Sequence, residues 1–500
     1  MEGLLAIIQS TFTIKILLLI LGGTIFGLII GAIPGLNTTL AVAIIIPVTF
    51  YLSPVEALAL LCAVYKSGTY GGSISAILLG VPGTPAAAAT VRDGYALARK
   101  GQAGRALDAA LYASVFADLI SNAALILIAG WLAQFALKFG PAENFLLVLF
   151  ALVVVSMVAA KKMTKGLLAS VIGLSLAVIG MDPMTGNARF NFGSIQMMSG
   201  VSLVPTLVGL FALSEIYVEY SNFLHPKKGT GNTYVKQDPK SRLPFKEFIR
   251  HWFMMLKSSI IGVFIGALPG SGAAAAAFIS YTEAQRTSKK PEEFGNGSVE
   301  GIMASESANN GVCGATLIPL LTLGIPGDTI TAIMYGALIL QGITPGPLVF
   351  TQQADMVNGL YVTLFICSLF MLVMGKIACK VLTKVLNVPK SILFPVIMIV
   401  CFAGSYAMNN SMYDVLIMVI AGVVGYVFKI IGLPIAPCLI GFILGKQMER
   451  SLLQGLIRGR GSLAFFAQSP ISIAFLVLIA LMILFHIRKL LKNRKSVLQQ

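Results

Sequence analysis

The stretch that decides the fold reads GLIIGAIPG at residues 27–35, and a near copy, GVFIGALPG, occupies residues 262–270. Both copies place a Pro-Gly pair at the end of an apolar run. Proline removes a helical hydrogen bond donor and clashes with the preceding turn. The two copies start 235 residues apart (262 − 27). The pattern predicts two apolar helices that break at matching places in a duplicated chain.

Two further matches keep the same order. GVPGT at 80–84 corresponds to GIPGD at 324–328, and PTLVG at 205–209 corresponds to PCLIG at 437–441. Their offsets, 244 (324 − 80) and 232 (437 − 205), are close to the first. We therefore predict four parts of the chain: a first membrane repeat at 1–224, a basic linker at 225–251, a second membrane repeat at 252–468, and a final span with a basic tail at 469–500.

The composition is that of a membrane protein. Of 500 residues, 57% are hydrophobic and 11% are charged, whereas a soluble chain has about 25% charged residues. Since a membrane-spanning helix takes about 20 apolar residues, we expect an all-α polytopic protein with roughly 10–13 spanning segments. This composition excludes a soluble enzyme, a nucleic-acid-binding domain and a secreted disulfide scaffold. Without a Walker motif, a triad order or a metal cluster, we expect neither an enzyme nor a cofactor.

The net charge of +16 serves topology in this interpretation, because Lys and Arg concentrate in cytoplasmic loops. Basic residues follow the first Pro-Gly anchor at 80–84, but precede the corresponding anchor at 324–328. Corresponding loops would then lie on opposite sides, as in the inverted repeats of secondary transporters. The linker and the C-terminus are predicted to be cytoplasmic. The basic segment 446–460 disagrees, since this count places it outside.

The four Pro-Gly breaks are the predicted binding region, with segments 67–91 and 311–343 as broken or re-entrant elements. Half-helix N-termini attract anions, and loosened carbonyls hold cations; close helix packing is the alternative reading of such glycines. The candidate substrate-binding residues are Pro34, Gly35, Asn37, Thr38, Lys66, Ser73, Pro82, Gly83, Thr84, Pro269, Gly270 and Ser271. The candidate cation-coupling residues are Asn309, Asn310, Asp328, Thr329, Thr331 and Asp118.

Charged residues inside apolar runs are the other indicators, since burying them in lipid is costly. Lys66 precedes an expected break at 67–70 and is read either as a partner of a substrate carboxylate or as a snorkelling side chain. Asp118 is read as a proton or cation site, or as a helix–helix hydrogen bond. Glu306 lies one helical turn before Asn309 and Asn310, so all three share a face.

At these same residues the chain resembles a known family, the large membrane subunit of the tripartite tricarboxylate transporters. The motifs that carry the resemblance are GAIPGL (31–36), YGGSISAILL (70–79), PGTP (82–85), DGYALARKG (93–101), GALPG (266–270), ESANN (306–310), LGIPGD (323–328) and TPGP (344–347). The chain departs from the family pattern at Asn37, Lys66, Gly80, Ser305 and Ser307.

The resemblance implies a secondary active transporter that imports a small organic carboxylate, with citrate as the type substrate, on a Na⁺ or H⁺ gradient. Its partners would be a small membrane subunit of about four helices and a periplasmic solute-binding protein, in a bacterial inner membrane. The alternatives are a stand-alone carrier or facilitator for another small organic anion or amino acid, a channel, and an intramembrane enzyme or lipid flippase.

Overall fold

The computed structural model describes residues 11–159, 162–224, 241–270, 272–385 and 390–497. The helices are α1 (Ile14–Ala32), α2 (Thr38–Thr49), α3 (Pro54–Leu79), α4 (Ala87–Leu97), α5 (Ala103–Ala136), α6 (Pro141–Ala159), α7 (Met163–Ala177), α8 (Leu203–Val208), α9 (Ser214–Leu224), α10 (Phe245–Arg250), α11 (Trp252–Gly266), α12 (Gly272–Thr287), α13 (Val299–Ala315), α14 (Leu317–Leu323), α15 (Thr329–Leu340), α16 (Val349–Gln352), α17 (Ala354–Val385), α18 (Lys390–Asn409), α19 (Met412–Ile431), α20 (Ile435–Arg458) and α21 (Pro470–Val497). A two-residue hairpin, β1 (Gly180–Met181) and β2 (Ala188–Arg189), is the only strand pair in these ranges. The prediction of an all-α polytopic membrane protein is confirmed.

Seven of the described helical segments are long and apolar enough to cross a membrane. They are Ile14–Ala32, Ala87–Ala136, Pro141–Ala159, Leu203–Asn222, Ala354–Cys379, Met412–Ile431 and Pro470–Arg488. Five shorter apolar helices add to them: Thr38–Thr49, Met163–Ala177, Trp252–Gly266, Thr329–Leu340 and Leu393–Asn409. Three of the short helices lie next to Pro-Gly breaks: Thr38–Thr49 follows Pro34-Gly35, Trp252–Gly266 precedes Pro269-Gly270, and Thr329–Leu340 follows Pro326-Gly327.

The chain forms two compact units. One contains Met1–Gln134 and Leu203–Val427, and the other contains Phe135–Ser202 and Phe428–Gln500. A compact unit and a sequence repeat are different divisions, so the predicted parts 1–224, 225–251, 252–468 and 469–500 stay predictions. All of the candidate binding residues belong to the first unit.

Within the first unit, the elements recur in the order that the repeat predicts. α1 packs along α3, and α11 packs along α13. The loop after α1 turns at Gly35 with φ 90°, and the loop after α11 turns at Gly270 with φ 77°. Gly80 and Gly324, 244 residues apart (324 − 80), end their helices at φ 67° and 69°. Left-handed φ is tolerated by glycine, which has no Cβ. The inverted orientation of the halves stays a prediction.

The predicted break at 67–70 is wrong. α3 continues from Pro54 through these residues to Leu79. The Ser67 hydroxyl donates to the Ala63 carbonyl at 2.6 Å, and the Thr69 hydroxyl to the Tyr65 carbonyl at 2.8 Å, so the polar side chains are satisfied within the helix. A Cβ on Gly68 would lie 2.8 Å from the Thr38 side chain. These small residues therefore allow close packing and do not interrupt the helix.

In the second unit, α7 and α20 pack closely through small residues. A Cβ on Gly173 would lie 1.9 Å from the Cys438 carbonyl oxygen. Arg189, the last residue of β2, forms a bidentate ion pair with Glu449: Nη1 donates to Oε1 at 2.5 Å and Nη2 donates to Oε2 at 3.0 Å. The backbone amides of Thr185 and Met184 donate to Asp182 and lower the pKa of that carboxyl group. Glu449, which belongs to the basic segment 446–460, thus forms an ion pair with Arg189 of β2.

Residues 225–240 of the predicted linker lie outside the described residues. The rest of it, 241–251, contacts α5. Arg242 approaches Asp108 at 3.3 Å, the Leu243 amide donates to the same carboxylate, and Arg105 pairs with Glu247 at 2.6 Å. The cytoplasmic side of the linker stays a prediction.

Candidate functional site

Polar side chains of α3 and α13 meet in the first unit. Tyr65, Thr69 and Ser73 of α3 follow one another at intervals of four residues, so they lie on one face. Their contacts, in order along α3, are Tyr65 Oη to Thr316 Oγ1 at 3.5 Å, Cys313 Sγ to Thr69 Oγ1 at 3.7 Å, and Ser73 Oγ to Glu306 Oε1 at 2.6 Å. The partner numbers fall as the α3 numbers rise, so the helices are antiparallel. We call this contact the α3–α13 seam.

Glu306 is the charged centre of the seam and is completely buried. Ser73 donates to Oε1 at 2.6 Å, Thr90 donates to the same oxygen, and Ser114 donates to Oε2 at 3.2 Å. Throughout the described ranges, no Lys, Arg or His side chain forms an ion pair with Glu306. A buried carboxylate without a countercharge is unstable unless it takes up a proton or a cation.

Asn309 and Asn310 lie one helical turn after Glu306, as the sequence predicts. The side-chain oxygens of both amides are buried and have no hydrogen-bond partner among the described residues. Nδ2 of Asn310 donates only weakly, to the Met371 sulfur at 3.7 Å. Unsatisfied buried oxygens are rare in proteins. A carboxylate and two free amide oxygens on one helical face form a ligand set of the type that hard cations prefer.

Both carboxylate oxygens of Asp328 accept hydrogen bonds from residues of the same unit. Its Oδ1 accepts the Thr331 amide at 2.8 Å and the Thr331 hydroxyl at 2.7 Å, which caps the N-terminus of α15. Its Oδ2 accepts the Tyr65 hydroxyl at 2.7 Å. Capping explains both residues without a bound ion. Thr329 is the first residue of α15 and is partly exposed. A cation-coupling role for these three residues stays a prediction.

The Pro-Gly breaks of each half contact one another. A Cβ on Gly83 would lie 2.3 Å from the Gly31 carbonyl oxygen. In the second half, a Cβ on Gly327 would lie 2.9 Å from the Gly266 carbonyl oxygen, and the Gly270 amide donates to the Gly327 carbonyl at 2.7 Å. Both pairs of loops therefore need glycine for close backbone approach.

The backbone amide of Gly83, which we expect to hold a substrate carboxylate, donates to the Gly72 carbonyl at 3.1 Å. In this conformation the Gly83 amide is not free to bind an anion, because the loop packs against α3 and the amide donates to a carbonyl of that helix. Pro34 is partly exposed, and Gly35 and Pro82 are exposed. A substrate role for these four residues stays a prediction.

The remaining candidates near the breaks mostly serve helix ends. Asn37 accepts the Leu40 amide at 2.8 Å and caps α2. Thr84 accepts the Ala87 amide at 3.3 Å. The Thr38 hydroxyl is buried and has no partner in the described part of the chain. Pro269 is buried at the break before α12. Ser271 lies outside the described residues.

Lys66 and Asp118, predicted separately for substrate and cation, pair with each other. Lys66 Nζ lies 2.9 Å from Asp118 Oδ2, and both side chains are buried. Neither snorkelling nor a free cationic side chain describes Lys66. This pair links α3 with α5, and the loss of either partner would leave the other charge buried and uncompensated.

Sequence reasoning missed Asp93, which joins distant parts of the first unit. Its Oδ1 accepts three backbone amides that precede α13, those of Gly295, Gly297 and Ser298, at 2.7, 2.9 and 2.9 Å. Its Oδ2 accepts the Tyr281 hydroxyl at 2.8 Å. The DGY motif at the C-terminal half of α4 contains this aspartate within a mostly apolar helix, and that is the sequence signal for it. Sequence reasoning also missed Tyr65, Thr90 and Ser114, because a hydroxyl residue that binds a carboxylate cannot be distinguished by sequence from one that bonds within its own helix.

A cavity of about 1370 Å³ lies beside the contact of Asp93 with the segment that precedes α13. Its lining includes Arg105, Lys257 and Lys290, each paired with a glutamate. It also includes Lys246, Arg250 and Lys289, which form no ion pair with any described residue. The whole lining has seven Lys and Arg side chains against five Glu side chains, and this modest excess of positive charge favours anions.

Comparison with known proteins agrees with the predicted resemblance. The model of the tripartite tricarboxylate transporter TctA family matches residues 17–440. A protein of Agrobacterium vitis described as "Uncharacterized 52.8 kDa protein in TAR-I ttuC' 3'region" is 37% identical over 454 residues, which cover 91% of this chain and 89% of that protein. A second, "Uncharacterized protein in TAR-II ttuC' 3'region" of the same organism, is 40% identical over 215 residues, 43% of this chain and 89% of that protein. No solved structure matches. The chain, with its broken apolar helices and polar seam, belongs to the tripartite tricarboxylate transporter TctA family.

Proposed function

We propose that the chain is the large permease subunit of a secondary active transporter that imports a small organic carboxylate. Membership of the TctA family supports transport as the activity. In this proposal a periplasmic solute-binding protein delivers the carboxylate, a small membrane subunit completes the complex, and the complex lies in a bacterial inner membrane. A Na⁺ or H⁺ gradient drives uptake, and no other cofactor takes part.

The observation that carries the coupling proposal is Glu306. Its carboxylate is buried, accepts three hydroxyl groups and has no countercharge among the described residues. Intramembrane carboxylates in such settings mark ion or proton pathways. The coupling cation or proton is proposed to neutralise Glu306 in one conformation and to leave it in another. Asn309 and Asn310 supply the neighbouring oxygens.

The substrate is proposed to bind between the paired Pro-Gly breaks and to leave through the basic cavity. Pairs of broken helices are where transporters of related architecture hold their solutes. The cations without ion pairs at the cavity, Lys246, Arg250 and Lys289, favour an anionic solute on its way to the cytoplasm. A stand-alone carrier for another small organic anion or amino acid is the competing outcome of the tests below.

The first test identifies the partners. The tagged chain is purified from its native membrane in mild detergent, with and without a gentle cross-linker, and the co-purifying proteins are identified by mass spectrometry. A small membrane protein together with a soluble binding protein supports the tripartite arrangement. Recovery of the chain alone under both conditions contradicts it and favours a stand-alone carrier.

The second test uses Glu306→Gln in the reassembled complex. Uptake of labelled di- and tricarboxylates is measured with imposed Na⁺ and H⁺ gradients. We expect gradient-driven accumulation to fall at least about tenfold, a loss of about 1.4 kcal/mol, while membrane abundance is unchanged. Asp355→Asn is the matched control, because Asp355 is an exposed carboxylate at the start of α17 and does not line the cavity. Normal accumulation by the Glu306→Gln complex contradicts the coupling role.

A further inference from the structure

The Lys66 ammonium lies among four oxygen atoms on two other helices. They are Asn122 Oδ1 at 2.8 Å, Asp118 Oδ2 at 2.9 Å, the Leu364 carbonyl at 3.0 Å and Ser368 Oγ at 3.3 Å. An ammonium has three N–H donors, so four oxygens exceed what hydrogen bonding alone requires. All four oxygens lie within 3.3 Å of one buried cationic nitrogen. We call them the Lys66 oxygen shell.

The shell is closed to solvent, and its members contact one another. The Lys66 and Asp118 side chains are 2% and 0% exposed. The Ser368 hydroxyl also donates to Asp118 Oδ2, at 2.5 Å, and Asn122 Nδ2 approaches both Ser368 Oγ and the Leu364 carbonyl at 3.2 and 3.3 Å. The oxygens are thus held by contacts among themselves as well as by Lys66. A preformed shell of this kind binds a ligand without a large ordering cost.

The chemistry of the shell suits an alkali cation. Carboxylate, amide, carbonyl and hydroxyl oxygens are hard ligands. Asp118 gives the shell a single negative charge, which one monovalent cation neutralises. In addition, Asp118 Oδ1 is buried and has no hydrogen-bond partner among the described residues, so one carboxylate oxygen is left over as a further ligand.

We propose that the oxygens of Asp118, Asn122, Leu364 and Ser368 form a monovalent-cation site, which in this chain the tethered ammonium of Lys66 occupies. Removal of the ammonium opens the site to Na⁺ or K⁺. The consequence for coupling rests on the proposed function: a tethered charge does not exchange with either solution, so the driving cation or proton acts elsewhere, at Glu306. The cation site itself is tested without transport.

The test is the thermal unfolding of purified Lys66→Met in detergent. Melting temperatures are compared in NaCl, KCl and choline chloride at equal ionic strength, beside the unchanged chain. A ligand that binds only the folded state raises the melting temperature with its concentration. We expect Lys66→Met to unfold several degrees below the unchanged chain in choline, and to recover in Na⁺ or K⁺ in a saturable manner. This recovery exceeds any response of the unchanged chain to the same salts.

The double variant Lys66→Met/Asp118→Asn is the control. It has no buried charge in the shell, so it should fold in choline and gain no more from Na⁺ or K⁺ than the unchanged chain does. The proposal is overturned if Lys66→Met gains no more than the unchanged chain, if acidification restores it as well as either salt, or if the double variant keeps the gain. If Lys66→Met survives purification only in NaCl or KCl, the site is supported; if it is lost in all three salts, the site is contradicted.

Discussion

Two faces of α3 differ in whether the buried charge that they contact has a countercharge. On the face toward α5 and α17, the Lys66 ammonium has oxygen neighbours on all the helices that it touches. On the face toward α13, Glu306 has hydroxyl donors but no countercharge, and the amide oxygens of Asn309 and Asn310 have no partner in the described ranges. A buried charge that has its countercharge fixes the packing, whereas a buried charge without one leaves room for a cationic ligand. The contrast distinguishes Lys66, whose charge is paired within the fold, from Glu306, for which we propose a role in coupling.

The strongest test of this contrast is Asp118→Ala. It leaves the Lys66 ammonium buried without its carboxylate, and breaking a buried pair in this way costs about 3–5 kcal/mol. We expect a large drop in melting temperature in detergent and low membrane abundance. Lys66→Met in the same chain should restore part of the stability. A wild-type melting temperature for Asp118→Ala would mean that the pair does not hold the helices together.

The second largest loss of stability is expected where the Pro-Gly loops pack against neighbouring backbone. Gly83→Ala places a Cβ 2.3 Å from the Gly31 carbonyl oxygen, and Gly327→Ala places one 2.8 Å from Thr316 Cα. Overpacking of this kind costs about 1–3 kcal/mol, and the shorter contact predicts the larger loss for Gly83→Ala. Thermal unfolding measures both. Gly130→Ala is the control, since no atom of a neighbouring element lies within 4 Å of the added Cβ. Equal behaviour of all three variants contradicts the close approach.

On the α13 face, Ser73→Ala removes one of the three hydroxyl donors to Glu306. The net contribution of one such hydrogen bond is about 1 kcal/mol, so gradient-driven uptake should fall several-fold while the melting temperature changes little. Ser67→Ala is the matched control, because Ser67 donates within its own helix. If Ser67→Ala and Ser73→Ala reduce uptake equally, the seam has no special role.

The smallest effect is expected for Lys290→Ala. Lys290 and Glu293 lie 2.7 Å apart, close to the 2.9 Å of Lys66 and Asp118, but their side chains are 68% and 52% exposed. Exposed ion pairs are screened by water and contribute little. We expect no measurable change in melting temperature. A loss comparable to that of Asp118→Ala would show that burial does not distinguish the two pairs.

The sequence predicts the fold class and the positions of the breaks well, because apolar length and Pro-Gly pairs are local signals. It also places Glu306, Asn309 and Asn310 on one face through helical periodicity. It does not predict the pairing of Lys66 with Asp118, which depends on how α3 meets α5. The expected break at 67–70 fails for a related reason: glycines that break a helix and glycines that let a neighbour approach look alike until the neighbour is known.

The contact of Asp93 with the amides of Gly295, Gly297 and Ser298 has a consequence for biosynthesis. The carboxylate and the first of these amides are 202 residues apart. During translation, Asp93 enters the membrane region long before its partners leave the ribosome. The first half of the chain therefore waits, incompletely folded, for the second half, and the docking of the segment that begins α13 follows the synthesis of residue 298. A truncated product that ends before residue 295 lacks this step and is expected to be a substrate for membrane quality-control proteases.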